Sequence, residues 1–310
     1  MLSRRQLRIK VLQSLYSYFQ SGTGEMKIAE NELFRSIDKI LELYYLLMLF
    51  ITELGHDDLL DSEDLQRKYF PKDEEVHAKN RLHSVRLIDA LEKSDAFKSK
   101  VNEYHCSWQT DQDLVRKIFL ELKKSEEYKK FMTSEPVDEK ELLLQIVRVF
   151  IEKSEAMQST LQERSIYWGE DLSFCCHLII KTIKEFYDQN KLNFPSLYKD
   201  EKDDKEFVRL LFEKTILNNA TFETSISAKT KNWDVERIAM MDILLMKMAL
   251  AEMMTFESSP VKVSINEYID ISKEYSTPKS KLFINGIIDK LATEYKADGR
   301  IVKTGRGLVE

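Results

Sequence analysis

The residues best suited to chemistry stand at the start of the chain, where Arg4, Arg5, Arg8 and Lys10 occur with no acid before Glu25. That stretch is strongly cationic, while the 310-residue chain as a whole carries a formal charge of −6. Cations in the first turn of a helix oppose its dipole, each at a cost of roughly a few tenths of a kcal/mol, so three arginines there need a compensating anion. The free N–H groups of such a turn, combined with guanidinium forks, make a phosphate site. A solvated basic end is the simpler alternative, and these residues alone leave the two balanced. A second cluster comprises Tyr275, Ser276, Thr277, Lys279, Ser280, Lys281 and Phe283. It joins hydroxyls and lysines to aromatic faces that can stack on bases, a combination that suits single-stranded RNA better than a duplex. Taken alone, Tyr275 and Phe283 read more simply as core aromatics at helical spacing.

Other chemistry finds little support. The chain has no phosphate-cradling glycine loop, no dinucleotide fingerprint and no metalloprotease helix motif. His105-Cys106 and Cys175-Cys176-His177 are adjacent residues that point about 100° apart on a helix and lack the two-residue spacer of a metal site, so they read as core. The acidic pairs Asp57-Asp58 and Asp111/Asp113 read as helix starts and solvated faces. No nucleophile stands beside a base. The expectation is a protein that is not an enzyme and uses no cofactor or metal.

The elements that must position these residues are helices. Eight glycines and five prolines are less than half the ordinary shares of about 7% and 5%, which leaves little room for hairpins and points to an all-α fold. The longest apolar run, Leu43 to Ile51, falls far short of the roughly 20 residues of a membrane span. Three cysteines, two of them adjacent, suit a reducing compartment, so a cytoplasmic protein with no membrane partner is expected. The net acidic balance confines any anionic partner to a local patch.

Ser3 with Gln6 forms a capping box that starts the first helix at Arg4, and Ser21-Gly22-Thr23-Gly24 ends it. A second helix follows, with apolar positions at Leu33, Ile37, Ile40, Tyr44, Leu47, Ile51 and Leu54 and a further stripe at Phe34, Leu41 and Met48, so it must be buried on most sides. Helical patterns recur around 82–91, 114–131, 142–161 and 172–187, and 190–204 reads as a polar connector. After an amphipathic stretch at 207–217, a long apolar helix is expected from about Val235 to Thr255. Ser264 with Glu267 reads as a second capping box. Thr277 reads as the cap of a last helix with Pro278 at its first position. Residues 296–310 show no periodicity and are expected to be mobile.

The segment from Asn232 to Leu291 resembles the C-terminal half of the NusB family of transcription antitermination factors. The resemblance is carried by Trp233 with Glu236-Arg237, by Met246-Lys247-Met248-Ala249-Leu250 with Glu252, by Val261 to Glu267, and by Ser280 with Phe283-Ile284-Asn285-Gly286. At the N-terminus, Arg4-Arg5, Arg8 and Gln13-Ser14-Leu15-Tyr16 are similar to that family's arginine-rich first helix. Two sequence departures stand out: Lys279 occupies a position that is usually acidic, and Leu282 one that is usually lysine.

The resemblance implies two helical bundles. The first would span 1–203, enlarged by an insertion at about 57–203, and the second 204–295, followed by the flexible tail. It also implies binding of boxA-type single-stranded RNA together with NusE, a small-subunit ribosomal protein, within the RNA polymerase elongation complex. By position, Arg4, Arg5, Arg8, Lys10, Tyr275, Lys279, Ser280 and Phe283 would face RNA. Tyr16, Asp242 and Lys279 would face NusE. Asn266 and Glu267 also match the family pattern but read as cap and packing residues. The alternative is a helical scaffold of the transcription or ribosome-assembly machinery without RNA affinity. An RNA methyltransferase, to which such domains are sometimes joined, would need a glycine-bearing cofactor loop on an α/β sheet, and the sequence has neither.

Overall fold

A computed structural model describes residues 1–22, 24–67, 81–133, 135–230 and 239–308. Among the described residues every regular element is helical, as the scarcity of turn formers requires. In chain order the helices are α1 (Arg4–Ser21), α2 (Met26–Arg67), α3 (Arg86–Lys93), α4 (Asp95–Glu103), α5 (Gln112–Lys124), α6 (Glu126–Thr133), α7 (Glu139–Gln145), α8 (Glu155–Arg164) and α9 (Leu172–Gln189). They continue with α10 (Glu201–Leu217), α11 (Asn219–Lys229), α12 (Met240–Thr255), α13 (Val261–Tyr275) and α14 (Ser280–Ala297). One turn of π-helix, Ile146–Ile151, extends α7. No described helix is long and apolar enough to cross a membrane.

The chain forms two compact units, one made of Met1–Ile37 with Leu197–Glu310 and the other of Asp38–Ser196. These bounds differ from the divisions expected at 57 and 203. The N-terminal helix joins the C-terminal helices, and the long apolar stripe of α2 from Asp38 onward packs with the intervening helices.

In the first unit α12 is central, in contact with α1, α10, α11, α13 and α14. Its residues from Leu244 to Met253 are all buried, Lys247 and Glu252 included, so each polar one needs a partner. Lys247 finds Asn219 Oδ1 at 2.7 Å and Glu223 Oε2 at 2.9 Å. Around α12 lie Leu7, Val11, Leu12 and Leu15 of α1, Val208, Leu211 and Phe212 of α10, and Ile284, Ile288 and Leu291 of α14.

The second unit is built on the remainder of α2. Trp108 is buried, donates its indole N–H to the Leu46 carbonyl at 2.8 Å and sits edge-on to Phe50. Tyr44 shares a hydrogen bond with Thr182 at 2.9 Å. Asp58 accepts from Tyr128 at 2.6 Å and lies 2.8 Å from His83 Nδ1.

Local signals explain the ends of several helices. The Ser3–Gln6 capping box is present, and α1 stops at Gly22 with φ of 61°, a left-handed conformation that glycine adopts without steric cost. The stretch expected as one helix over 114–131 is two, because Ser125 accepts from the Tyr128 amide and starts α6. The stretch over 142–161 is likewise broken, with Ser154 capping α8.

Three expectations at the C-terminal end are corrected. The helix expected to open at the Ser264–Glu267 box opens at Val261 instead. Thr277-Pro278 forms a turn ahead of α14, which begins at Ser280, whose amide donates to the Thr277 carbonyl at 2.9 Å. The segment after Ala297 is docked rather than loose: Ile301 is buried, Lys303 Nζ donates to the Phe256 carbonyl at 2.8 Å, and the Thr304 amide donates to Glu257 O at 3.1 Å.

Candidate nucleic-acid interface

The apolar face of α1 fixes where its arginines go. With Leu7, Val11, Leu12 and Leu15 buried, the first turns lie against α10, α12 and α13, and all three arginines meet acids there. Arg8 is buried and forms a fork on Glu252 of α12, with both N–O distances at 2.7 Å. Glu252, which is fully buried, also accepts from Ser264 at 2.7 Å and from Tyr268 at 2.8 Å. Burial alone would push its carboxyl up, but the guanidinium and the two hydroxyls outweigh burial and hold it below its ordinary value. Burial likewise works against charged Arg8, and Glu252 reverses that effect and raises it. Tyr268 is raised by burial and by the adjacent Glu252 charge.

The other two arginines lie nearer the surface. Arg5 forks onto Glu267 of α13 at 3.1 and 3.0 Å and reaches Asp270 at 2.8 Å. The hydrogen bond to Glu267 is the main cause of its raised pKa. Arg4 pairs with Asp203 and, at 3.1 Å, with Asp204 of α10, and its guanidinium covers the Phe207 ring at 4.2 Å. The anion that the first-turn arginines require is thus supplied by the chain itself, from carboxylates about 200 to 260 positions away. Glu267, read from sequence as a packing residue, is one of those acids. Ser264, read as a cap, is a buried donor to Glu252.

The remaining candidates fall into two groups. Tyr275 is half-buried and accepts a 3.5 Å hydrogen bond from Gln13, so α1 and α13 run together from Arg5 to Gln13. The eight residue steps between them span roughly 12 Å of helix. Lys279 is exposed, Phe283 is half-buried and Tyr16 is exposed, so these keep a solvent face. Leu282, at the second sequence departure, is 74% exposed.

Arg8, Lys10, Ser280 and Asp242, also expected as contacts, are buried. Asp242 accepts from Ser276 and, at 2.7 Å, from Ser280, and so ties the α13–α14 turn to the start of α12. Trp233, Glu236 and Arg237 lie outside the described residues.

The cysteines are occupied with packing. Cys106 and Cys175 donate to the carbonyls of Glu42 and Ile40, and burial pushes the Cys106 and Cys176 thiols up to about 12. Among the described residues no group of His, Cys, Asp and Glu is arranged to hold a metal ion.

Comparison with known proteins places residues 177–293 in a match to the NusB family. A transcription antitermination protein NusB of Chloroherpeton thalassium is 43% identical over 106 residues, which are 34% of this chain and 50% of that one. The protein of the same name from Salinibacter ruber is 41% identical over 105 residues, 34% of this chain and 66% of that one. That from Natranaerobius thermophilus is 29% identical over 89 residues, 29% of this chain and 64% of that one. The matches thus span half to about two thirds of these relatives. No solved structure matches.

Proposed function

Residues 177–293 carry a NusB-family domain, and from that premise we propose that the chain is a transcription antitermination factor. In this reading it binds boxA-type single-stranded RNA together with NusE and joins the RNA polymerase elongation complex in the cytoplasm, without catalysing a reaction. The observation that carries the reading is that α1, far outside the matched residues, is anchored to them by the buried Arg8–Glu252 pair. That anchor sets Arg4 and Arg5 beside α10 and α13, with Tyr275 further along the same seam.

The contact set we propose is narrower than the one expected from the sequence. Arg4, Arg5, Tyr275, Lys279 and Phe283 are the residues proposed to face RNA, with Arg8 and Ser280 holding them in place. Tyr16 and Lys279 are proposed to face NusE, and Asp242 to support that face from beneath. The charge is suited to a strand backbone and the aromatics to its bases.

The test is a fluorescence-anisotropy titration of a boxA-type RNA and a scrambled RNA with the protein and its cognate NusE. Arg4→Ala with Arg5→Ala should weaken binding and lower the slope of log affinity against log salt by about 0.7 for each phosphate no longer neutralised. An unchanged slope, in a sample still folded, refutes the assignment of these arginines. One observation favours a second reading, a helical protein–protein scaffold without RNA affinity: each of the three arginines is already paired with a carboxylate. Absence of any RNA discrimination by the folded, NusE-paired protein would select it.

A further inference from the structure

The three arginines of α1 meet five carboxylates: Asp203 and Asp204 on Arg4, Glu267 and Asp270 on Arg5, and on Arg8 both Glu252 and, at 3.3 Å, the shared Glu267. Lys273 adds one cation, 2.5 Å from Asp270. Taken together, these ion-paired groups are net negative by one charge. The folded surface around Arg4 and Arg5 is therefore no ready-made anion trap.

The carboxylates differ in how firmly they are held. Glu252 is fully buried and the Asp204 side chain is 6% exposed, whereas those of Asp203 and Asp270 are 74% and 36% exposed. Asp204 is also fixed by the backbone amides of Lys199 and Asp200. Pairs at the surface are individually weak and exchange readily. The Arg8–Glu252 pair cannot open without leaving a buried charge alone.

We propose that Asp203 and Asp270 act as an internal stand-in for phosphate, occupying the outer side of Arg4 and Arg5 until the phosphates of a bound RNA displace them, while the less exposed Asp204 and Glu267 stay on those arginines and Arg8–Glu252 stays closed and keeps α1 seated. The inference rests on the RNA-binding reading above and concerns how that site is regulated. Competition of this kind selects for a polymer. A lone phosphate replaces one carboxylate, whereas a strand reaches both arginines in one binding event. It also keeps α1 from binding polyanions indiscriminately.

The experiment compares single-stranded RNA affinity for the wild-type chain, Asp203→Asn and Asp270→Asn, each with NusE and at low salt. Removing one negative charge within about 5 Å of a bound phosphate is expected to tighten binding about three- to tenfold. Asp289→Asn, an exposed acid on α14, makes the same change in net charge as a control and is expected to have a smaller effect. The gain from Asp270→Asn should disappear in an Arg5→Ala background, since the carboxylate acts through that arginine.

A gain that matches Asp289→Asn, or one that persists without Arg5, overturns the inference. Wild-type binding with no gain in either acid variant overturns it and leaves the RNA-binding reading standing. If neither wild type nor variants bind RNA, both fall. Binding by the acid variants alone would support it most strongly.

Discussion

Replacing Arg8 with methionine keeps most of the stem volume and deletes the charge, so Arg8→Met removes the electrostatic part of the Arg8–Glu252 pair together with the longer, 3.3 Å contact of Arg8 with Glu267. Glu252 would lose two of the four hydrogen bonds described for it and the guanidinium paired with it, keeping Ser264 and Tyr268. Leaving one partner of such a pair buried costs about 3–5 kcal/mol. Adding Glu252→Gln removes the stranded charge and retains an acceptor for the two hydroxyls, so the double variant should recover at least half of the loss. Urea unfolding followed by far-UV circular dichroism gives the magnitude, and amide exchange along α12 assigns it to the first unit.

The pH dependence carries the sign. In the wild type the Glu252 carboxyl is held below its ordinary value of 4.5, so its contribution is present above that value and is lost as pH falls through the depressed folded one. In Arg8→Met, burial without the cation raises the carboxyl, so its penalty is present at pH 7 and fades as the group takes up a proton. The gap between the two proteins should therefore narrow from pH 7 to about 4.5. A loss below about 1 kcal/mol, or a gap that does not change with pH, refutes the reasoning.

Two further outcomes are expected. Trp108→Ala should cost about 3–5 kcal/mol by urea unfolding, because it empties a buried site against Phe50, and a loss under about 1 kcal/mol would mean the site collapses. Gly307→Ala should detach the C-terminal segment, since its Cβ would meet the Glu257 carbonyl oxygen at 1.9 Å. The readout is faster amide exchange at Thr304 with global stability unchanged, and unaltered exchange there would refute it.

Local features are legible in the sequence and distant ones are not. The Ser3–Gln6 box and Gly22 bound α1 as written, because a cap is made by residues within a few positions. The break at Ser125 is also readable, from a serine followed by Glu126-Glu127 at a helix start. Ser264 and Glu267 have the spacing of the same box, yet their side chains serve Glu252, Arg5 and Arg8, and nothing local distinguishes the two uses. The need for an anion near Arg4, Arg5 and Arg8 follows from the helix dipole. That the anions are Asp203, Asp204, Glu252, Glu267 and Asp270 depends on how helices far apart in the chain are brought together, which periodicity does not encode. The docking of residues 301–304 is hidden for a related reason: it rests on single contacts to Phe256 and Glu257, without a repeating pattern.

The most direct test of the proposed function is transcription in vitro from a template with a boxA-bearing leader ahead of a terminator, with NusE and the polymerase present. This protein is expected to increase the fraction of transcripts that pass the terminator, and the increase is expected to vanish when the boxA element is scrambled or when Arg4 and Arg5 are both changed to alanine. Readthrough unaffected by adding the folded protein, or raised equally on the scrambled leader, would contradict it.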